Sequence, residues 1–228
     1  MQVHDLKLRA LAEFAAGAGH EINNPVATIV GYAQQLLADE TDPDRRHALS
    51  TIGAQAYRIR DMIGDAMLFA RPPLPQPQNL DLAFIVRELA AKVVDEARAT
   101  AIQISVTADR ATPIFADSTQ LRIVVSSLLR NSFESLRPGG QVAITADTIE
   151  ESGRPMARLS VFDDGPGLSD ADREHLFDPF YSGRQAGRGL GFGLCKVWRI
   201  VTLHDGLIDV DLPAAGGVTF TIRWPAAR

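Results

Sequence analysis

Residues Arg71–Asn79 read RPPLPQPQN. Four prolines in nine residues remove four backbone donors and fix four φ angles, so this stretch is an extended connector and not a helix. The apolar pattern differs on its two sides. Upstream, Leu11, Phe14, Ala18, Ile22, Pro25, Ile29, Ala33 and Leu36 recur at steps of three and four, the seam of one helix. A turn-like stretch, ADETDPDRR (38–46), follows, and Leu49, Ile52, Ala56, Ile59, Ile63, Ala66 and Ala70 repeat the spacing in a second helix. Two helices of about 30 residues cannot cover both stripes by pairing with each other, which predicts a homodimer with a four-helix bundle. The other reading is a monomeric hairpin packed on the rest of the chain.

Downstream of the connector the period changes. Residues 82–98 read as a helix, Ile102, Ile104 and Val106 alternate as a strand, and Leu121–Leu136 is helical. Further alternating runs are Val142, Ile144 and Ala146, then Leu159 and Val161, then Val218, Phe220, Ile222 and Trp224. Gly165–Gly193 is rich in glycine and reads mostly as loop. The layer arrangement this predicts is a mixed sheet with helices on one face. The chain is thus expected to be α+β: a helical hairpin over 1–71, a linker over 72–79, and an α/β sandwich over 80–228.

The 228 residues carry a formal charge of −5 and a pI near 5.5, with no local cluster of Lys and Arg, which argues against a nucleic-acid partner. The single cysteine, Cys195, stands among apolar helical residues and reads as packing, in keeping with a reducing, cytoplasmic setting. No run of about 18 apolar residues is present, so the chain as given is expected to be soluble, with any sensing part outside these residues.

His20 is two residues from both Ala18 and Ile22, roughly 200° from the seam, and is expected on the polar face with Asn24 and Thr28. Pro25 interrupts the same helix, removing a donor to the Glu21 carbonyl at a cost of about 3 kcal/mol. A helix with only a structural task would avoid that. The string HEINNP (His20–Pro25) resembles the phosphoacceptor segment of histidine kinases. The resemblance implies that His20 accepts a phosphoryl group, that Glu21 takes the proton from the other ring nitrogen, and that Asn24 orients a water for dephosphorylating a partner. The chemistry is consistent, because a neutral imidazole needs a free lone pair to attack phosphorus and loses a proton as the product forms.

Three strings downstream belong to the same comparison. In SSLLRNSFES (126–135), Asn131 follows a buried run of leucines. In VFDDGPGL (161–168), a strand end runs into Asp163, Asp164, Gly165, Pro166 and Gly167, all common turn residues. In GRGLGFGL (187–194), the amides of Gly189 and Gly191 near a helix start form an anion site. The last string is neither a P-loop nor a strand-turn-helix dinucleotide fingerprint. Together they resemble the asparagine box, DxGxG signature and glycine lid of the histidine kinase ATPase domain. The resemblance implies ATP with Mg²⁺ as cofactors: Asn131 gives its side-chain oxygen to the metal, Asp163 accepts from the adenine amino group, and Gly165 and Gly167 allow close approach. LFDPFYSGR (176–184) is similar to the family's phenylalanine box. Phe177, Phe180 and Tyr181 read there as core anchors or, alternatively, as nucleotide contacts. Arg184 and Arg188 read equally as phosphate ligands or as solvated charges.

The resemblance covers nearly the whole chain in motif order. It implies a kinase that phosphorylates itself and passes the group to an aspartate of a response regulator receiver domain. Water-using ATPases of the superfamily carry a glutamate four residues before the box asparagine; here that residue is Ser127, which favours transfer over hydrolysis. Gly183 and Arg188 depart from the small hydroxyl residues of the family's lid. Two rival readings remain, a nucleotide-binding dimeric switch and a phosphatase working through Glu21 and Asn24.

Overall fold

The structure is a computed structural model that describes residues 2–181, 191–214 and 216–227, with side chains from Gly17 onward except those of Ala18 and His20. The chain forms two compact units, one up to Pro73 that also takes in Gly191 and Phe192, and one made of the remainder from Leu74.

The first unit is a hairpin of α1 (Gln2–Asp39) and α2 (Pro43–Ala70). Its turn is closed by two devices. Asp42 caps α2, its side chain accepting from the backbone N–H groups of Asp44 and Arg45 with Pro43 in the first turn. Arg46 reaches back to the carbonyls of Leu37 and Glu40 at 3.2 and 2.6 Å. Between the helices the small residues Ala33 and Ala56 are buried, as are Val26 and Phe69. Phe69 packs on Phe192 with ring centroids 6.0 Å apart. The rest of the seam is uncovered: Ile29, Leu36, Ile52 and Ile59 are 44–59% exposed. An apolar stripe about 100° wide or more is broader than one partner helix hides.

The second unit opens with β1 (Gln78–Asp81), so the proline-rich connector runs directly into a strand, paired antiparallel with β3 (Pro113–Ala116). A five-stranded sheet has the order β2-β4-β5-β7-β6, made of β2 (Gln103–Thr107), β4 (Gln141–Glu151), β5 (Arg154–Asp163), β7 (Val218–Pro225) and β6 (Leu207–Asp211). Only β2 and β4 run parallel among these pairs, which makes the sheet mixed. Strands β4 and β5 meet at Ser152–Gly153, both with positive φ (51° and 74°), as a two-residue hairpin turn requires.

Residue parity sets the layers. Val142, Ile144 and Ala146, Ala157, Leu159, Val161 and Asp163, and Val218, Phe220, Ile222 and Trp224 are all buried on one face. That face is covered by α3 (Leu82–Lys92), α5 (Ser118–Ser135) and α7 (Gly193–Leu203), whose apolar residues are likewise buried. The opposite face carries Arg158, Thr221 and Arg223, which line an open cleft of about 590 Å³ with Ile149 and Phe177.

Several expectations need correction. The helix read over 82–98 is two helices, α3 and α4 (Val94–Ala99), broken at Val93 with φ −101° and ψ 3°. Val93 and Val94 are consecutive β-branched residues, which crowd the preceding turn, and the Val93 N–H donates to Ala90 at 3.2 Å. The loop read over 165–193 contains α6 (Asp170–His175), started by a capping box between Ser169 and Asp172. Among the described residues no helix is long and apolar enough to cross a membrane.

Candidate nucleotide and phosphoacceptor sites

Helix α5 is capped by Asp117, whose carboxylate accepts from the Gln120 N–H at 3.0 Å. Leu121, Val124, Val125, Leu128 and Leu129 are buried against the sheet and fix the helix rotation. That rotation leaves Asn131 half-buried on the flank and turns Ser132 fully inward, with no exposed surface. Strand β5 ends at Asp163, which pairs with Val142 on one side and Val218 on the other, and its parity points it to the same helices.

The Asp163 carboxylate is 2% exposed and held by the chain's own donors. Ser132 Oγ donates to Oδ2 at 3.0 Å, the Gly165 N–H donates to Oδ1 at 3.2 Å, and Ser135 Oγ lies 3.3 Å from Oδ1. Burial pushes its pKa above the usual carboxylate range, and the bonds from Ser132, Gly165 and Ser135 oppose that rise without cancelling it. Asp164 points elsewhere, accepting from the Gln141 N–H at 2.6 Å. A Cβ at Gly165 would stand 2.7 Å from Asp163 Oδ1, and Gly167 has φ 76°, so both positions of the signature suit glycine. Asn131 and Asp163 therefore belong to one unit and are linked through the hydroxyl next to Asn131 in sequence.

The remaining candidates fall elsewhere. Phe177 is half-buried and lines the cleft on the outer sheet face, Phe180 is 60% exposed with φ 66°, and Tyr181 donates to Asp172 at 2.9 Å beside His175. The reading of these three as core anchors is thus corrected: none of them is fully buried, and Phe177 lies on the outer face of the sheet. Arg184, Arg188 and Gly189, with Gly183, lie outside the described residues. Gly191, with φ 73°, falls in the helical unit and precedes α7, whose Cys195, Val197 and Val201 are buried.

In the helical unit His20 lies within α1, and its side chain is outside what is described. Glu21 and Asn24 are exposed on the same helix, where Thr28 Oγ1 donates to the Asn24 carbonyl at 3.1 Å. Helix α1 continues through Pro25 without a break.

Sequence reasoning missed Ser132 and Ser135. The signal was present: two hydroxyl residues three apart on a helix face otherwise built of leucine and valine, next to the asparagine.

The His Kinase A (phospho-acceptor) domain model matches residues 10–74, and the model described as histidine kinase-, DNA gyrase B-, and HSP90-like ATPase matches residues 116–228. The chain belongs to the histidine kinase family. This histidine kinase segment is 31% identical to the C4-dicarboxylate transport sensor protein DctS of Rhodobacter capsulatus, over 97% of the chain and 34% of that protein. It is 30% identical to the signal transduction histidine-protein kinase AtoS of Escherichia coli, over 96% of the chain and 35% of that protein. The chain spans about a third of the length of these curated relatives. In fold it matches full-length ShkA in complex with AMPPNP, with a TM-score of 0.81 at 24% identity, over 94% of this chain and 46% of that one.

For a metal, the kinase offers Asn131, a single hard oxygen donor on α5. Among the described residues no group of three or more His, Cys, Asp or Glu gathers to hold an ion. A donor set of this kind fits Mg²⁺, which keeps several waters and is held largely by substrate phosphates.

Proposed function

We propose that this kinase core binds ATP, phosphorylates His20 and passes the phosphoryl group to an aspartate of a receiver domain. The observation that carries the reading is the buried Asp163 carboxylate at the end of β5, bonded to the residue that follows Asn131 on α5. An ionised carboxylate accepts hydrogen bonds only, so it suits the donor face of an adenine amino group. Gly165 and Gly167 leave room beside it, and Gly189, Gly191, Arg184 and Arg188 are assigned to the phosphates. Asn131 would hold Mg²⁺, which when bound neutralises charge on the β- and γ-phosphates.

In the transfer itself, one ring nitrogen of His20 attacks the γ-phosphorus as the bond to the ADP oxygen breaks, and Glu21 takes the proton from the other nitrogen. Asn24 serves the reverse task, orienting a water at the receiver's phosphoaspartate. The division of labour is a dimerisation and phosphotransfer domain over 1–71, a hinge over 72–79 and a catalytic domain over 80–228, working in the cytoplasm. A second copy would cover Ile29, Leu36, Ile52 and Ile59 in a homodimeric four-helix bundle.

The test is incubation with γ-labelled ATP and Mg²⁺. An acid-labile, base-stable label that is absent from His20→Gln is the expected result. Measurable ATP binding without any label would transfer the assignment to a nucleotide-binding switch or a receiver phosphatase.

A further inference from the structure

Running back along α1 from the hairpin turn, the fully buried residues among those described are Ala33, Val26 and Gly19, seven apart. That spacing keeps one narrow row of α1 against α2. At Ala33 the two helices meet through small groups, since a Cβ at Gly53 would stand 3.9 Å from the Ala33 Cβ. At Gly19 a large group takes over. A Cβ there would overlap Met67 Sδ and stand 3.1 and 3.3 Å from its Cε and Cγ, so the thioether of α2 occupies the space that Gly19 leaves. Methionine suits this task because it is unbranched and fills an irregular gap. The Met67 backbone is held in the last turn of α2, where its carbonyl accepts from the Arg71 N–H at 2.8 Å.

His20 is the next residue on α1, about 100° of helix rotation from that notch. Little else fixes this turn. Between Gly19 and Val26 no described side chain is fully buried. Asn23, on the same side of α1 as Gly19, has its Oδ1 buried with no hydrogen-bond partner among the described residues, so that oxygen anchors nothing. Pro25 removes the bond to the Glu21 carbonyl that would otherwise stiffen the helix between Val26 and Gly19. We infer that Met67 is a positioning residue for phosphoryl transfer: its thioether, seated in the Gly19 notch, sets the rotation of α1 at His20 and hence the line of attack of the imidazole. The inference rests on the reading of His20 as the phosphoacceptor. An in-line displacement needs the reacting atoms about 3–3.5 Å apart and aligned, and a misplacement of about 1 Å costs on the order of 100-fold in rate.

The experiment is labelling of the full chain at saturating γ-labelled ATP and Mg²⁺, with ATP affinity measured beside it, for wild type, Met67→Ala, Gly19→Ala and the double variant. Met67→Ala empties the notch and should slow labelling about tenfold or more. Its ATP affinity should be unchanged, because Asn131 and Asp163 belong to the other unit. Gly19→Ala alone displaces the end of a flexible side chain and should slow labelling less. The double variant returns a methyl group to the notch from the α1 side and should recover most of the loss, the non-additivity of a contacting pair. Phosphoramidate, a small donor that phosphorylates imidazole without a nucleotide site, should label Met67→Ala at the wild-type rate, because the reactivity of the ring is untouched and only its alignment changes. Wild-type labelling of Met67→Ala by ATP, additive losses in the double variant, or a parallel loss with phosphoramidate would each overturn the inference. If Met67→Ala loses helicity by circular dichroism, Met67→Leu, similar in volume but branched, replaces it and must slow labelling by ATP alone. His20→Gln separates the two levels: a label retained there removes the phosphoacceptor reading itself, whereas its loss beside a normal Met67→Ala removes only the role of Met67.

Discussion

Gly217 lies against the main chain of Asp163, so that a Cβ at position 217 would overlap the Asp163 carbonyl oxygen. Gly217 has φ 88° and precedes Val218, the residue paired with Asp163 between β7 and β5. The close approach fixes where β5 ends and hence where the carboxylate sits. Gly217→Ala combines backbone strain with overlap and is expected to destabilise the second unit by about 2–4 kcal/mol and to weaken nucleotide binding. Gly216 is the control. It has φ 96° but open space around its Cβ position, so Gly216→Ala carries strain alone, about 1 kcal/mol. Urea melts and ATP titrations of both variants check this, and equal effects would mean that the contact at 217 constrains nothing.

Asp117 joins three segments of the same unit. One carboxylate oxygen caps α5 through the Gln120 N–H, the other accepts from the Gln76 N–H at 2.9 Å, and its own N–H donates to His204 Nε2 at 3.1 Å. Burial works to raise its pKa, but the backbone bonds from Gln120, Gln76 and Thr119 prevail and hold it below the usual carboxylate value. Asp117→Ala should cost about 1–2 kcal/mol through the lost cap and release the end of the proline connector. Limited proteolysis is the measurement: cleavage near residues 72–77 should accelerate more than the loss of stability alone explains.

Glu88 sets an acid limit on the packing of α3 against α5. Arg122 donates to both of its oxygens at 2.9 and 2.7 Å, and Lys92 donates at 2.7 Å. Those bonds, Arg122 first, lower its pKa from 4.5 to about 2. A depressed folded-state pKa means that the stabilisation is complete above the unfolded value and is lost as pH falls from about 4.5 to about 2. Glu88→Gln should remove that slope, and the gap between the two proteins in denaturant melts should close across this window. Parallel curves would show that the pair makes no differential contribution.

Much of this architecture is legible in the sequence because periodicity reports which face of an element is apolar. The alternation of Val218, Phe220, Ile222 and Trp224 translates directly into the buried face of β7. What periodicity does not report is what covers that face. Ile29 and Ala33 belong to the same seam, yet one is 44% exposed and the other 5%. The short pairing of β1 with β3 joins residues about 35 positions apart with no alternating run to announce it. At the candidate site, Asn131 and Asp163 stand out through the strings that carry them, SSLLRNSFES and VFDDGPGL, and not through residue type, since Asp is a common turn residue. Ser132 and Ser135 are less conspicuous, since serine is common on helix surfaces, and only their place on the seam that continues from Leu121, Val125 and Leu128 marks them.

The exposed part of the seam yields the most direct prediction about assembly. Each half-exposed isoleucine or leucine gains about 1 kcal/mol on becoming covered, and in a two-fold pair every such residue counts twice. Ile29, Leu36, Ile52 and Ile59 from both copies together supply enough to favour association without any new fold. Ile29→Glu combined with Ile52→Glu should leave the hairpin folded, because both positions are exposed within one chain, while it places charges at a face that must become dry. Ala56→Glu, at a position 3% exposed, should instead unfold the hairpin itself. Sedimentation with circular dichroism distinguishes these outcomes. A wild-type dimer that becomes a helical monomer in the double variant supports the bundle, and a double variant that remains dimeric places the interface on another surface.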